Sequence, residues 1–237
     1  MLKPSTYQPF TINEEAIHHL MLHTAPLKRN GLLYGKLGIT IAFFEWGNYW
    51  HNSIFSDYAI ELKNSLPNKI DNNIPLDFAI GLCGFGWGIE YLAQHQFVDS
   101  NSTGVCANID QKIMAMDMRR ITDLSLENGL EGFLHYILIR LNGAKIRESS
   151  IPFDHIFLKD TYNRLQSLPE EDDLHGLCNL KQIFITYMDT SSLSYKPEIS
   201  SFINNLAINS ESDILSAKLG LTDGLAGKLV KIISGQS

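Results

Sequence analysis

The sequence predicts an all-α fold: an α/α toroid of about five helical hairpins, with inner and outer helix layers, formed by residues 1–237 as one domain. Three observations predict it. A small-residue motif recurs as "YGKLGITIAFF" from Tyr34, "FGWGIEYL" from Phe85, "NGLEGFLHYI" from Asn128, "HGLCNLKQIF" from His175 and "DGLAGKLVKI" from Asp223. Anchored on Gly38, Gly88, Gly132, Asn179 and Gly227, the copies are 50, 44, 47 and 48 residues apart. That interval holds two helices of about a dozen residues with their connections. The third observation is that two kinds of helix alternate. One has a single apolar stripe, and the other is apolar nearly all round and must be covered on both sides.

Taken in order, the one-sided helices carry Ile17, Leu20, Met21 and Thr24; Phe55, Tyr58, Ala59 and Leu62; Ile109, Ile113 and Met116; Leu158, Tyr162 and Leu165; and Ile199, Phe202, Ile203 and Leu206. Steps of three and four residues put each set on one face, so these form the outer ring. Thr11, three residues before Glu14, reads as a capping box for the first, and "NSLPNKIDNNIP" and "SLPEEDD" read as connections. The two-sided helices, such as "ITIAFFEW" and "FLHYILIRL", begin near Gly35, Gly86, Gly129, Gly176 and Gly224 and form the inner ring. Glycine in their first turn is expected to let backbones approach closely at a crowded axis. An open solenoid of the same hairpins is the competing arrangement.

Composition narrows the function. A content of 44% hydrophobic and 19% charged residues suits a globular chain, and no run reaches the roughly eighteen apolar residues of a membrane span. The N-terminal "MLKPSTYQPF" lacks the pattern of a secretory signal, so a cytoplasmic location is expected. Three widely spaced cysteines argue for reduced thiols rather than a disulfide framework. A net charge of -7, without a basic stripe interleaved with aromatics, disfavours nucleic acid as a partner.

Inner helices that begin with Gly-x-x-Gly, above all "NGLEGF" and "DGLAGK", make the chain resemble the LanC-like family, the lanthionine synthetase C-like proteins. The resemblance runs over essentially the whole chain. It implies an α/α toroid, a central zinc held by two cysteines and a histidine, and activation of a peptide thiol that adds to a dehydrated residue to form a thioether ring. Members typically have seven hairpins, where this chain has five. Cys83 keeps the family spacing to Gly88 and Ile89, with Leu82 in place of the flanking Trp; His175 and Gly176 keep a His-Gly pair, with Leu174 in place of its Cys.

Cys178, three residues after His175 at the start of a predicted helix, offers a third donor, so Cys83, His175 and Cys178 are the candidate zinc ligands. The competing reading makes Cys83 and Cys178 small apolar core residues. Tyr34, Asn128, His175 and Asp223 precede the first glycine of their motifs and are expected at one mouth of the cavity, with Glu131 nearby. His175 and Asp223 make a candidate imidazole and carboxylate pair for acid–base work. Helix capping is the alternative for Asn128 and Asp223, and His135 reads as a hydrogen-bonded core residue.

Three functions follow. The first is zinc-dependent thioether cyclisation in peptide maturation; the second is a metal-free relative that binds a peptide substrate or a peptide-modifying partner enzyme. The third is a glycan-active α/α barrel using carboxylates such as Glu131, Asp77 and Asp223.

Overall fold

In four of the repeats a tight turn among the described residues carries the chain onto the first residue of a helix, and the same contacts recur from turn to turn. The computed structural model describes residues 14–67, 73–98, 103–169, 175–204 and 217–235. Among them are nine α-helices and no strand: α1 (Glu14–Thr24), α2 (Lys36–Trp50), α3 (Ser53–Asn64), α4 (Leu82–Gln94), α5 (Thr103–Met114), α6 (Leu130–Ile146), α7 (His155–Gln166), α8 (His175–Thr190) and α9 (Leu225–Ser234). Two 3₁₀ turns, Met118–Arg120 and Ile199–Phe202, complete the set. No described helix is long and apolar enough to cross a membrane.

The two expected kinds of helix are present. α2 buries every residue from Lys36 to Phe44, and α6 buries Tyr136 through Leu141. By contrast α3 buries only Ala59 and Leu62, and α7 only Phe157, Leu158, Thr161 and Leu165. The helices that follow the small-residue motifs pack in the order α9, α2, α4, α6, α8, while α3 lies on α2, α5 on α4 and α7 on α8. The last repeat is therefore a neighbour of the first. α8 departs from the expected two-sided pattern: of its described side chains it buries only Leu177, Leu180 and Phe184, and it exposes Gly176, Asn179 and Gln182. One continuous core runs from Leu20 to Ile233.

Each of four inner helices starts at an extended glycine, Gly35, Gly81, Gly129 or Gly224, with no side-chain cap. The first helical N–H instead donates to the carbonyl seven residues earlier: Lys36 to Arg29 at 2.9 Å, Leu82 to Pro75 at 2.8 Å, Leu130 to Asp123 at 2.9 Å and Leu225 to Lys218 at 2.9 Å. This backbone bond satisfies a donor that a Ser or Asp side chain would otherwise have to meet. Asn128 and Asp223 are thus not the caps of α6 and α9; each stands one residue ahead of the capping glycine.

Three residues into the motif, Gly38, Gly84, Gly132 and Gly227 lie against the carbonyls of Leu32, Phe78, Leu126 and Leu221. A Cβ at any of the four would overlap that oxygen. The glycine requirement therefore comes from the repeat's own turn, not from inner helices crowding a common axis. Turns are also bonded to one another: Leu221 N–H donates to the Leu33 carbonyl (2.8 Å), Leu33 N–H to Ala79 (2.9 Å) and Phe78 N–H to Glu127 (2.9 Å).

This pattern corrects two expectations. In the second repeat the motif is Gly81-Leu82-Cys83-Gly84, so α4 starts at Gly81 rather than near Gly86, and the anchor is Gly84 rather than Gly88. Gly86 and Gly88 do another job, admitting the Tyr136 ring and the Leu37 side chain against α4. The fifth outer helix expected over Ile199 to Leu206 is, within the described residues, a 3₁₀ turn at Ile199–Phe202, after which Asn204 N–H donates to the Thr222 carbonyl (2.8 Å). Ile199 and Phe202 are buried, so this segment packs into the core rather than forming an outer helix with a wet face. Leu206 and the Thr11 capping box lie outside the described residues.

Candidate functional site

The segment from Leu193 to Phe202 lies against the inner helices α4 and α6. Leu193, Tyr195, Ile199 and Phe202 are all buried. The Phe202 ring sits 4.9 Å from both Trp87 and His135 and 5.2 Å from Phe78, edge-on to each. Trp87 donates its indole N–H to the Tyr195 hydroxyl at 2.9 Å, and that hydroxyl is 2.9 Å from His135 Nδ1. Buried indole and phenol groups are thereby satisfied in one chain of hydrogen bonds. Burial pushes the His135 imidazole down to about 3, so it is neutral near pH 7. His135 is a hydrogen-bonded core residue, as its place in an apolar helix implied.

At the turn end of the inner helices, Tyr34 donates its hydroxyl to Glu127 Oε1. Burial, the Glu127 hydrogen bond and charge, and the Asp223 charge push the Tyr34 phenol up to about 12. Asp223 Oδ2 pairs with the exposed Lys218 ammonium. Its Oδ1 and the neighbouring Thr222 Oγ1 are buried without a hydrogen-bond partner. Tyr34 therefore meets Glu127 directly and feels the charge of Asp223, whose Oδ2 is paired with Lys218. Asn128 is exposed and donates its backbone N–H to Ser125 Oγ at 3.4 Å.

Glu131 follows Gly129 by two residues, and its carboxylate packs against Gly176 in the first turn of α8. Burial raises its pKa. Asp77 is occupied locally: its Oδ1 accepts from the N–H groups of Ile80 (2.8 Å) and Gly81 (3.0 Å), which shapes the turn into α4. A pair of carboxylates facing one another across a cleft, as glycoside hydrolysis needs, is not what Asp77 and Asp223 provide.

Cys83 occupies the second helical position of α4 and is wholly buried in the core. Burial pushes its thiol well up, and the Asp77 and Asp110 charges push it the same way. Cys178, half-buried on α8, holds the same motif position one hairpin pair later. The His175 side chain lies outside what is described, and no group of three His, Cys, Asp or Glu residues that could hold a metal occurs among the described residues.

Sequence reasoning missed a buried charge network on another face of α4 and α6. Arg140 reaches Glu90 Oε2 and Asp110 Oδ2, both at 2.7 Å, and Arg147 reaches Glu90 Oε1 at 2.6 Å. Tyr136 adds a 2.6 Å hydrogen bond to Asp110. Burial alone would push the Glu90 carboxyl up, yet hydrogen bonds from Arg147 and Gln94 and the charges of both arginines hold it below the ordinary range. A signal was present: Glu90 and Arg140 interrupt helices that are otherwise apolar all round, and a charge there must find a partner.

Comparison of the chain with protein-family models, with curated proteins and with solved structures finds no match in any of the three.

Proposed function

We propose that the hairpins close into an α/α toroid similar to that of LanC-like proteins, and that the protein serves peptide maturation by holding a peptide or a partner enzyme rather than by forming thioethers on zinc. The closed form is supported by the bond from the last repeat to the first, Leu221 N–H to the Leu33 carbonyl. Further bonds continue from the first repeat to the second and from the second to the third. The observation that carries the functional reading is the state of Cys83. It is the residue in register with the family's first ligand, yet it has no exposed surface and lies in the continuous core. Activation of a peptide thiol needs a metal that the peptide can reach. The inward face of α4 and α6 is instead covered by Tyr195 and Phe202.

Elemental analysis of protein purified without chelators tests this reading, together with thiol labelling of the native state. The expected result is no stoichiometric zinc, and a Cys83 that stays unlabelled until the protein is unfolded. One zinc per chain that disappears in Cys83→Ser or His175→Ala would overturn it in favour of cyclisation.

A further inference from the structure

His19 and His23 stand four residues apart on α1, one above the other on a single helix face. Their ring centroids are 4.3 Å apart, with the planes inclined at 47°. His19 is half-buried beside the stripe that carries Leu20 and Thr24 into the core, and His23 is exposed. Among the described residues neither ring has a hydrogen-bond partner, whereas His135 is bonded to Tyr195 and His95 to the Tyr91 carbonyl.

The spacing suits chelation. A divalent transition metal bound to one nitrogen of each ring at about 2.0–2.1 Å, with a near-right angle between the bonds, sets the two ring centres roughly 4–5 Å apart. The observed 4.3 Å lies within that range without any movement of the helix. The turn that carries the pair is also held in place. Leu20 and Thr24 are fully buried, the Tyr58 hydroxyl donates to the Met21 carbonyl at 2.7 Å, and the Lys36 ammonium donates to the Ala25 carbonyl at 3.2 Å. Burial and the neighbouring His23 charge both lower the His19 pKa, which favours the neutral imidazole that metals bind.

We propose that His19 and His23 form a surface site that chelates one divalent transition metal of the imidazole-preferring class, Cu²⁺, Ni²⁺ or Zn²⁺, with water in the remaining positions. Mg²⁺ and Ca²⁺ take oxygen donors and do not fit two ring nitrogens. A bound ion ties consecutive turns of α1, the helix that packs on α9. Because the pair is assembled only in the folded helix, the ion stabilises the native chain. The site is independent of the zinc ligands considered for cyclisation, since neither Cys83 nor His175 belongs to it.

Calorimetric titration of the whole chain with Ni²⁺, in buffer without chelators, tests the site. One saturable equivalent is expected, with paramagnetic broadening of amide signals centred on α1 and a melting temperature that rises with added Ni²⁺. His19→Gln and His23→Gln should each weaken binding about a hundredfold, because losing either ring removes the effective-concentration gain of the other. His18→Gln, on the same helix but off that face, should leave the affinity unchanged, and Mg²⁺ should give no binding heat. Glutamine is a good helix former, so the variants should keep the parent's far-ultraviolet circular dichroism. No saturation, parental affinity in both His19→Gln and His23→Gln, or an equal loss in His18→Gln would overturn the proposal. So would binding that survives in His23→Gln and disappears in His175→Ala or Cys178→Ser, a result that would count against the metal-free reading as well.

Discussion

The two ends of the inner helices are held together by different chemistry. At the turn end, backbone N–H groups of one repeat donate to carbonyls of the next, through glycines that no larger residue can replace. At the far end, α4, α5 and α6 are joined by side chains, with two arginines facing two carboxylates. The far end is balanced in charge, and its four ions pair with one another, although Arg147 Nε is buried without a partner. The turn end carries surplus acid and orphan atoms.

The largest way to break this contrast is Arg140→Met. It leaves Glu90 and Asp110 buried without their main cation and should cost about 3–5 kcal/mol in urea unfolding. A loss under 1 kcal/mol would show that the network contributes little. Next comes Gly132→Val at the turn end, where the new side chain overlaps the Leu126 carbonyl and the Phe78 side chain. Overpacking of this kind costs about 1–3 kcal/mol or more, read in the same unfolding curves. A variant as stable as the parent would contradict the role given to these turns.

The ends should also fail at opposite extremes of pH. Glu90 titrates below its ordinary 4.5 in the folded chain, so its contribution is present above pH 4.5 and is lost as pH falls through the lowered value. Tyr34 is raised from 10.0 to about 12, so its contribution is complete below pH 10 and is lost between 10 and 12. Absorbance of the phenolate, compared between the parent and Tyr34→Phe, locates the second transition. Asp223→Asn or Glu127→Gln should bring it down toward 10.

The smallest effect concerns Glu131. Its raised pKa means that burial disfavours the charged form, so Glu131→Gln should slightly stabilise the protein at pH 7 and have no effect well below its pKa. Destabilisation at pH 7 would mean that the carboxylate against Gly176 is held as an anion.

The repeat and its two helix types were legible because helix burial follows a period that sequence preserves. The register of the second repeat was not, because Gly81, Gly84, Gly86 and Gly88 look alike in sequence and differ only in what approaches each. Ile199, Phe202 and Ile203 misled for a related reason: three- and four-residue steps suit a 3₁₀ turn lying on aromatic rings as well as an outer helix. At the mouth, Tyr34 and Asp223 were legible from their place in the motif. Glu127 was not, since its link to Tyr34 spans two repeats that sequence does not show to be neighbours.

The bond from Leu221 N–H to the Leu33 carbonyl has a consequence for how the protein acquires its structure. α2 cannot complete its packing until α9 exists, and α9 is far along the chain from it, with six other described helices between them. Contacts of such sequence separation slow the approach to the native state. A ribosome releasing the chain from its N-terminus leaves one side of α2 uncovered until the residues of α9 have been made. That apolar side is the surface a chaperone would meet first, and the arrival of the last hairpin is the step that hides it.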